Sequence, residues 1–411
     1  MRTLTYSLTW PDLDLILDSI RKSYRGVVAN NFSMWKEKVM KNIIASLFVC
    51  LWVGFASLAL AAEPVIIGVY FPMTGPSAVY GQIGYKGLQL AQQERPTVLG
   101  RPVQLIMTDN KSDKVESANA VSRLIQKEKA DAVIGGLTSS NTLSGGPVAE
   151  KARVPMLSPW ATNPLVTQNK KYIFRACFID PFQGYVGAKF AREELNAKTA
   201  AVLIDITQDY CVGIANFFMK NFKKMGGKIV FKVHYNTGDM DFTGQLAGMI
   251  AKKPDVIYCP GYFKELALIA RQAREQGLKQ PILSGDAAQA DELIKIGGEA
   301  VEGLSFTTHF DEEGVTTDSG KKFVAAFRKA YPGIIPDSVS ALSYDTYNIL
   351  LDAMERAGSI DRERVTAELA MTKNFPGATG VMTMKNHDMI KPAVILTVKN
   401  GKFKWLATVK P

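Results

Sequence analysis

Short apolar runs alternate with stretches of helical periodicity along most of the chain after residue 62. Val65–Tyr70, Val103–Thr108 and Ala132–Ile134 are apolar runs typical of buried parallel strands. Between them, Gly84–Glu94 and Val115–Lys127 carry apolar residues at helical spacing. Strands that alternate with helices predict βαβ units, in which helices cover both faces of a parallel sheet.

The alternation restarts further along the chain and predicts a second unit of similar size. The predicted strands there are Ala200–Ile204, Val230–Tyr235, Val256–Cys259 and Pro281–Leu283, and the predicted helices are Tyr185–Leu195, Tyr210–Met225, Phe242–Ala251, Phe263–Gln276, Lys321–Ala330, Val339–Ala357 and Arg364–Met371. The C-terminal stretch alternates apolar and polar residues and turns at Asn400-Gly401, which indicates a β-hairpin. We therefore expect an α/β protein with two doubly wound parallel sheets, one of which the hairpin completes.

One stretch, DAVIGGLTSSNT at residues 131–142, combines a buried strand with a hydroxyl-rich segment. The helical pattern resumes only near Pro147, so LTSSNT is interpreted as the connection between the strand and the helix. A strand that leads into a helix start leaves backbone N–H groups unpaired, and these groups favour an anion. The stretch therefore predicts an anion site.

Polar and aromatic residues follow the predicted strands at the sheet edge where ligands bind in open parallel sheets. In the first unit these residues are Tyr80, Gly81, Ser139, Ser140, Trp160 and Thr162, and in the second they are Asp209, Tyr210, Gly261, Tyr262 and Asp286. The first set is rich in hydroxyl and N–H donors, whereas the second contains tyrosines and a carboxylate. Two such sets facing each other could hold a zwitterion such as a free amino acid.

The N-terminal part of the chain is typical of a targeting segment. Lys36, Lys38 and Lys41 precede an apolar run from Ile43 to Ala61, and the run ends in an A-x-A pattern. This order predicts a secretory signal peptide over residues 34–62, cleaved after Ala61 or Ala62. The run is long, so an uncleaved membrane anchor is the alternative. Residues 1–33 precede this pattern as an extension of doubtful status.

Length and composition limit the number of domains, the class of protein and its expected partners. The 411 residues favour two domains, and 47% hydrophobic with 21% charged residues is typical of a globular protein. The net charge of +10 is dispersed, without a basic block, and this excludes nucleic acid as the expected partner. The mature cysteines and the histidines match no zinc site, so we expect structural roles for them; these residues are Cys177, Cys211, Cys259, His234, His309 and His387.

The sequence lacks the residues that the enzyme classes considered would need. The strand-end loops considered above contain no histidine, so a serine nucleophile would have no base. Gly81, Gly84 and Gly87 follow a strand, but their spacing differs from that of a dinucleotide-binding loop, and no phosphate-binding lysine motif is present. We interpret these glycines as loop and packing residues, and we expect no cofactor and no catalytic residue.

Several stretches together make the chain resemble one family. The sequence is similar to the branched-chain amino acid binding proteins of ABC transporters, which are type I periplasmic binding proteins. The stretches are VIIGVYFPMTGPSAVYG at 65–81, SSNT at 139–142, SPWATNP at 158–164, DITQDYCVG at 205–213, PGYFKELALIARQAREQG at 260–277, SGDAAQADEL at 284–293 and PGATGVMTM at 376–384. The resemblance runs from Val65 nearly to the C-terminus, and the combination is far more specific than any single piece.

The resemblance implies roles for the strand-end residues. Ser139, with Ser140 beside it, matches the place where the ligand carboxylate binds, and Thr162 matches a contact to carboxylate and ammonium. The carbonyl at Trp160 and the side chain of Asp286 match the acceptors of the ammonium group. Aromatic positions that wall the ligand in the family are matched by Tyr80, Tyr210 and Tyr262.

The chain also departs from the family pattern. Trp160 stands where a small residue is usual, so its bulk should narrow the pocket and put side-chain specificity in doubt. Cys211 and Cys259 end neighbouring strands, and either a disulfide between them or two buried thiols is open.

The family also implies an architecture and a role. Three crossings near Pro181, Thr307 and Asp388 would divide the mature chain into lobe 1, residues 63–181 and 308–388, and lobe 2, residues 182–307 and 389–411. The expected function is that of a monomeric periplasmic protein that binds an amino acid, branched-chain type favoured, and delivers it to an ABC permease. The alternatives are a receptor for an amide or aromatic acid and a sensor that signals without feeding transport.

Overall fold

The computed structural model describes residues 14–15, 17–25, 34–36, 38–41 and 63–411. Residues 1–62 and 63–411 are separate units, and the second unit contains the α/β fold. The predicted signal-peptide run, Ile43–Ala61, lies outside the described residues. Among the described helices, none combines the length and the apolar character needed to cross a bilayer.

The first sheet of residues 63–411 contains six strands in the order β2-β3-β1-β4-β5-β6. These strands are β1 (Val65–Phe71), β2 (Thr97–Val98), β3 (Arg101–Asp109), β4 (Ala132–Gly135), β5 (Met156–Ser158) and β6 (Ile173–Arg175). The pairings from β3 to β6 are parallel, and the short β2 is antiparallel to β3. Strand β4 is buried along its whole length, which explains its continuous apolar run.

The second sheet contains seven strands in the order β16-β15-β11-β10-β9-β7-β8. These strands are β7 (Thr199–Asp205), β8 (Lys228–Tyr235), β9 (Val256–Tyr258), β10 (Ile282–Ser284), β11 (Ser305–Thr308), β15 (Ala393–Lys399) and β16 (Lys402–Val409). Strands β7 to β11 are parallel, whereas β15 and β16 are antiparallel. The predicted hairpin is confirmed, and positive φ angles of 55° at Asn400 and 66° at Gly401 form its tight turn.

Helices pack on these sheets and supply most of the remaining ordered structure. They are α1 (Ala78–Glu94), α2 (Lys114–Gln126), α3 (Ser139–Ala152), α4 (Asp180–Glu193), α5 (Asp209–Lys224), α6 (Thr243–Lys252), α7 (Phe263–Glu275), α8 (Asp291–Gly297), α9 (Asp318–Ala330), α10 (Ser338–Ala357) and α11 (Arg362–Ala370). A small antiparallel sheet follows, with strands β12 (Phe375–Gly377), β13 (Gly380–Lys385) and β14 (Asp388–Ile390). The two predicted parallel-dominated sheets are thus confirmed, and the lobe boundaries given above stay a prediction.

Several elements differ from the sequence interpretation, and two of them bear on the site. Helix α3 begins at Ser139, so the SSNT segment is its first turn and not a connecting loop, and Pro147 lies inside the helix. Polar residues and the Gly145-Gly146 pair hide the helical periodicity of this stretch, although seven of its residues, Ser139, Ser140, Asn141, Thr142, Gly145, Gly146 and Ala149, are buried. Strand β11 was missed because its sequence, SFTT, is too short and too polar to stand out as an apolar run.

Candidate functional site

A cavity lies where the carboxyl ends of strands from both sheets meet. The empty space there is about 170 Å³, part of it open to solvent, and its wall consists of Leu137, Thr138, Ser139, Trp160, Tyr210, Tyr262, Asp286 and Ala287. Ser139 and Trp160 follow strands of the first sheet, whereas Tyr210, Tyr262 and Asp286 follow strands of the second. The structure therefore brings five of the eight predicted site residues to one cavity, at the sheet edge where α/β proteins bind ligands.

One end of the cavity is the start of helix α3. Gly136 adopts a φ of 90°, a backbone conformation that an L-residue rarely adopts, and Thr138 then precedes the helix in an extended conformation. The first-turn N–H groups and the positive end of the helix dipole favour a negative group here. The Ser139 hydroxyl accepts a hydrogen bond from the backbone N–H of Asn163 at 3.2 Å, which joins the helix start to the loop after β5.

The second sheet contributes the carboxylate of Asp286, which is 1% exposed and also lines the cavity. The Nε2 group of Gln183 donates to Oδ1 at 2.8 Å, and Nε2 of His309 lies 3.2 Å from Oδ2. Burial lowers the pKa of His309 to about 4, so this imidazole is neutral at pH 7. Within residues 63–411, both contacts to Asp286 therefore come from neutral donors, and its negative charge has no cationic side chain as a direct partner.

Trp160, Tyr210 and Tyr262 supply the aromatic part of the cavity wall, and Tyr80 packs against it from outside. The Tyr80 ring lies 4.8 Å from the Trp160 ring and 5.9 Å from the Tyr262 ring, and Tyr262 lies 5.9 Å from Tyr210. The Tyr80 hydroxyl donates to the carbonyl of Ala287 at 2.5 Å and accepts from the N–H of Phe263 at 3.2 Å. Burial raises the pKa of Tyr80, Tyr210 and Tyr262 well above the usual value, so these rings are neutral. The wall is largely apolar, with few polar atoms exposed to a ligand.

The remaining predicted residues occupy different places. Ser140 is buried outside the cavity wall, where its hydroxyl donates to Asp209 Oδ2 at 2.8 Å and accepts from the N–H of Asp209 at 3.0 Å. Thr162 is buried behind the wall and its carbonyl accepts the backbone N–H of Asp180 at 3.0 Å. Tyr80 lies outside the cavity wall, and its hydroxyl donates to the carbonyl of Ala287, which is a wall residue. The ligand roles of all eight residues stay predictions.

Two polar residues near the site, His309 and Gln183, were not recognised as candidates in the sequence. The sequence interpretation gave His309 a structural role and found no histidine in the strand-end loops, but His309 directly follows β11 and contacts Asp286. Gln183 lies in the first turn of α4. Had β11 been recognised, the strand-end rule would have identified His309. No comparable signal marks Gln183, because 103 residues separate it from Asp286.

The carboxylate of Asp209 joins the two sides of the cleft outside the cavity. Besides Ser140, it contacts the Lys114 ammonium at 3.1 Å, and its backbone carbonyl accepts from Asn163 Nδ2 at 2.7 Å. Ser140, Lys114 and Asn163 belong to the first sheet's side of the cleft, and Asp209 begins helix α5 on the other side. These contacts link the two sides of the cleft directly.

The structure decides between a disulfide and free thiols for the cysteines. Cys177, Cys211 and Cys259 are buried free thiols, so a disulfide between Cys211 and Cys259 is excluded. Burial raises the pKa of Cys259 to about 12, and at neutral pH this thiol is protonated. In the part of the chain that the structure describes, no cluster of three or more His, Cys, Asp or Glu side chains could hold a metal ion.

Two parallel-dominated α/β sheets with a cavity at their strand ends are typical of a type I periplasmic binding protein. Comparison with known proteins agrees: the sequence profile of the family described as periplasmic binding protein matches residues 64–402. The chain belongs to this family, which consists of solute-binding proteins and is not an enzyme family.

Individual relatives cover most of the chain. The leucine-, isoleucine-, valine-, threonine- and alanine-binding protein of Pseudomonas aeruginosa is 30% identical over 80% of this chain and 87% of its own length. The crystal structure of the leucine-binding protein LivK from Thermotoga maritima is 47% identical, has a TM-score of 0.83 and covers 84% of this chain and 99% of its own. LivJ from Streptococcus pneumoniae, solved with isoleucine, is 33% identical with a TM-score of 0.80, covering 85% of this chain and 100% of its own.

A more distant structure shows that the fold accepts other ligands. The solute-binding protein of Rhodopseudomonas palustris in complex with benzoate has a TM-score of 0.77 but is only 22% identical, over 85% of this chain and 97% of its own. At this identity the likeness establishes the fold alone.

Proposed function

We propose that this chain is the substrate-binding component of an ABC transporter and that it binds a free amino acid, with a branched aliphatic side chain favoured. The single observation that carries this proposal is that Asp286 and the start of helix α3 line the same cavity, each from one of the two sheets. A zwitterion that leaves water must have both charges matched, or desolvation defeats binding. The helix start suits the carboxylate, and Asp286 suits the ammonium.

The shape and lining of the cavity support the aliphatic side chain. With both polar ends occupied, the remaining wall is formed by Leu137, Ala287 and the aromatic rings. The indole of Trp160 lies in this wall against Tyr80 and limits the space to a side chain of modest size. The relatives whose names specify leucine, isoleucine or valine support the same class of ligand.

Ligand-dependent closure follows from the contacts across the cleft. Asp286 and the start of α3 reach one ligand together only when the lobes are closed, so binding shifts the population towards the closed state. The crossings near Pro181, Thr307 and Asp388 would act as the hinge. The closed, amino-acid-loaded monomer would then deliver its ligand to membrane permease subunits.

We also propose a periplasmic location, on the basis of the predicted signal peptide. Residues 34–62 would direct export and be removed after Ala61 or Ala62, which releases the protein into the periplasm. Mass spectrometry of the protein purified from the periplasm should give an N-terminus at Ala62 or Glu63. A chain that keeps Ile43–Ala61 and fractionates with membranes would support the anchor instead.

Thermal unfolding with a ligand panel tests the function. Leucine, isoleucine and valine should raise the melting temperature, because a ligand that binds only the native state stabilises it by mass action. The amides of these amino acids and benzoate should have little effect. Benzoate is the sharpest competitor, since it would occupy the aromatic cavity but leave Asp286 without a cation. Stabilisation by benzoate and not by amino acids would overturn the proposal in favour of the aromatic-acid alternative.

A further inference from the structure

His309 lies where three connecting segments of the fold meet. These segments, called the hinge segments here, are residues 176–179 between β6 and α4, residues 309–311 after β11, and residues 391–392 between β14 and β15. The imidazole centroid of His309 lies 3.8 Å from the ring centroid of Phe178 in the first segment. Lys391 in the third segment donates from Nζ to the His309 carbonyl at 2.9 Å. All three residues are at most 2% exposed, so the backbone and the ring of His309 are fixed from two sides.

The edge of this imidazole points at the carboxylate that lines the cavity. A carboxylate only accepts hydrogen bonds, so Nε2 of the neutral imidazole must carry the proton that it shares with Asp286 Oδ2 at 3.2 Å. Gln183 fixes the other oxygen at 2.8 Å and is itself held by Thr307 Oγ1 at 3.0 Å. Asp286 is therefore oriented by two donors that neither neutralise its charge nor line the cavity.

We propose that His309 is a positioning residue for the ligand ammonium: its Nε2–H fixes the Asp286 carboxylate, and the three hinge segments fix the imidazole. The inference rests on the proposed function, in which Asp286 receives the ammonium group of an amino acid. A side chain that contacts the ligand directly binds it strongly only when neighbouring side chains already hold its rotamer. Otherwise the entropy cost of fixing that rotamer during binding reduces the affinity. His309 thus contributes to recognition of the ammonium without touching the ligand.

The test compares ligands that differ only in the ammonium group. Leucine and 4-methylpentanoate, which lacks the ammonium, are titrated calorimetrically into the wild-type protein, His309→Phe and His309→Gln. Phenylalanine keeps a ring against Phe178 but has no donor, whereas glutamine restores an N–H donor. We expect His309→Phe to weaken leucine binding about tenfold or more, the range for loss of one buried hydrogen bond to a charged group. Binding of 4-methylpentanoate is expected to be weak, because it leaves Asp286 without a cation, and is followed at high ligand concentration; this weak affinity should be the same in all three proteins. His309→Gln should recover most of the leucine affinity.

The controls separate a positioning role from a general structural one. His234→Gln alters an exposed histidine of β8 and should bind leucine like the wild type. Equal losses for leucine and 4-methylpentanoate in His309→Phe would overturn the inference, as would a folded His309→Phe protein with wild-type leucine affinity. A wild-type protein that binds no amino acid at all would refute the proposed function itself, and the inference with it. The two failures are therefore distinguishable.

A second measurement uses the unaltered protein, so it does not depend on whether a variant folds. Nitrogen NMR of histidine-labelled wild-type protein should show His309 as the neutral imidazole with its proton on Nε2. Its Nε2–H signal should shift when leucine is added and stay in place with 4-methylpentanoate. A proton on Nδ1, or equal shifts with both ligands, would overturn the inference.

Discussion

The two polar regions of the cavity, the start of α3 and Asp286, differ in the groups that they present to a ligand. At the start of α3 the donors are backbone N–H groups, set in place by the turn at Gly136 and the helix itself. At the other end a single carboxylate, Asp286, is held by side chains that come from distant parts of the chain. The first end depends on the local backbone and tolerates side-chain changes, whereas the second depends on one charge and its supports. Substitutions at the two ends should therefore differ in effect.

The strongest test of this contrast is the removal of the charge at Asp286. Asp286→Ala should reduce amino-acid affinity by roughly 2–5 kcal/mol, because the ligand ammonium would be buried without its partner. Isothermal titration calorimetry with the amino acid that stabilises the wild type measures the loss. Asp318→Ala, which removes an exposed carboxylate in the first turn of α9, is the matched control and should change little. An Asp286→Ala protein with wild-type affinity would remove the basis for the zwitterion geometry.

A second buried aspartate, Asp180, should make the free energy of unfolding depend on pH. Burial raises the pKa of Asp180 to about 8, whereas an unfolded aspartate titrates near ~3.9. Between these values the native chain holds a proton that the unfolded chain has released, so the free energy of unfolding falls as pH rises. The slope approaches about 1.4 kcal/mol per pH unit from this group.

Urea unfolding of wild type and Asp180→Asn between pH 5 and 8 measures this effect. The asparagine variant should lose the downward slope and exceed the wild type most clearly at pH 8. Burial also lowers the pKa of His309 to about 4, which makes stability rise between about pH 4 and ~6.5, and it raises the pKa of Asp337 to about 7. The contribution of Asp180 is therefore the difference between the wild-type and Asp180→Asn curves. Parallel pH curves for the two proteins would show that Asp180 does not carry the linkage.

At the helix end, Ser139→Ala should have a smaller effect than Asp286→Ala. The substitution removes the hydroxyl that accepts from the N–H of Asn163, but the backbone N–H groups of α3 remain. We expect a loss of about 1 kcal/mol in affinity, the net value of an ordinary hydrogen bond. Calorimetry with the same ligand provides the comparison. A loss at Ser139 as large as that at Asp286 would contradict the backbone origin of this end.

The smallest effect is expected at the mouth of the cleft. Lys114→Ala removes an ion pair with Asp209 in which both side chains are about half exposed, at 52% and 40%. Such pairs contribute about 0–1 kcal/mol, and salt screens them. The change in leucine affinity should therefore be small and should vanish at high ionic strength. A large, salt-insensitive loss would mean that the contact at Asp209 governs closure.

Local chemistry was sufficient for much of the fold. The buried strands β1, β4 and β7 are recognisable because parallel strands covered on both faces need continuous apolar runs. The turn at Asn400-Gly401 is recognisable because few residue pairs adopt two positive φ angles easily. The strand-end rule then selected Ser139, Trp160, Tyr210, Tyr262 and Asp286, which meet at one cavity. These features depend on neighbours within a few residues of each other along the chain.

The tertiary structure decided what lies around Asp286 and where α3 begins. Gln183 and His309 reach Asp286 across 103 and 23 residues, and contacts over such separations leave no periodic trace in a sequence. The start of α3 at Ser139 was hidden for a related reason, since burial by the surrounding fold stabilises a helix whose own residues give little signal. The sequence by itself determined the apolar strands, the ends of these strands and the carboxylate at position 286. Packing decided that two neutral donors hold this charge, because only the folded chain brings the hinge segments together.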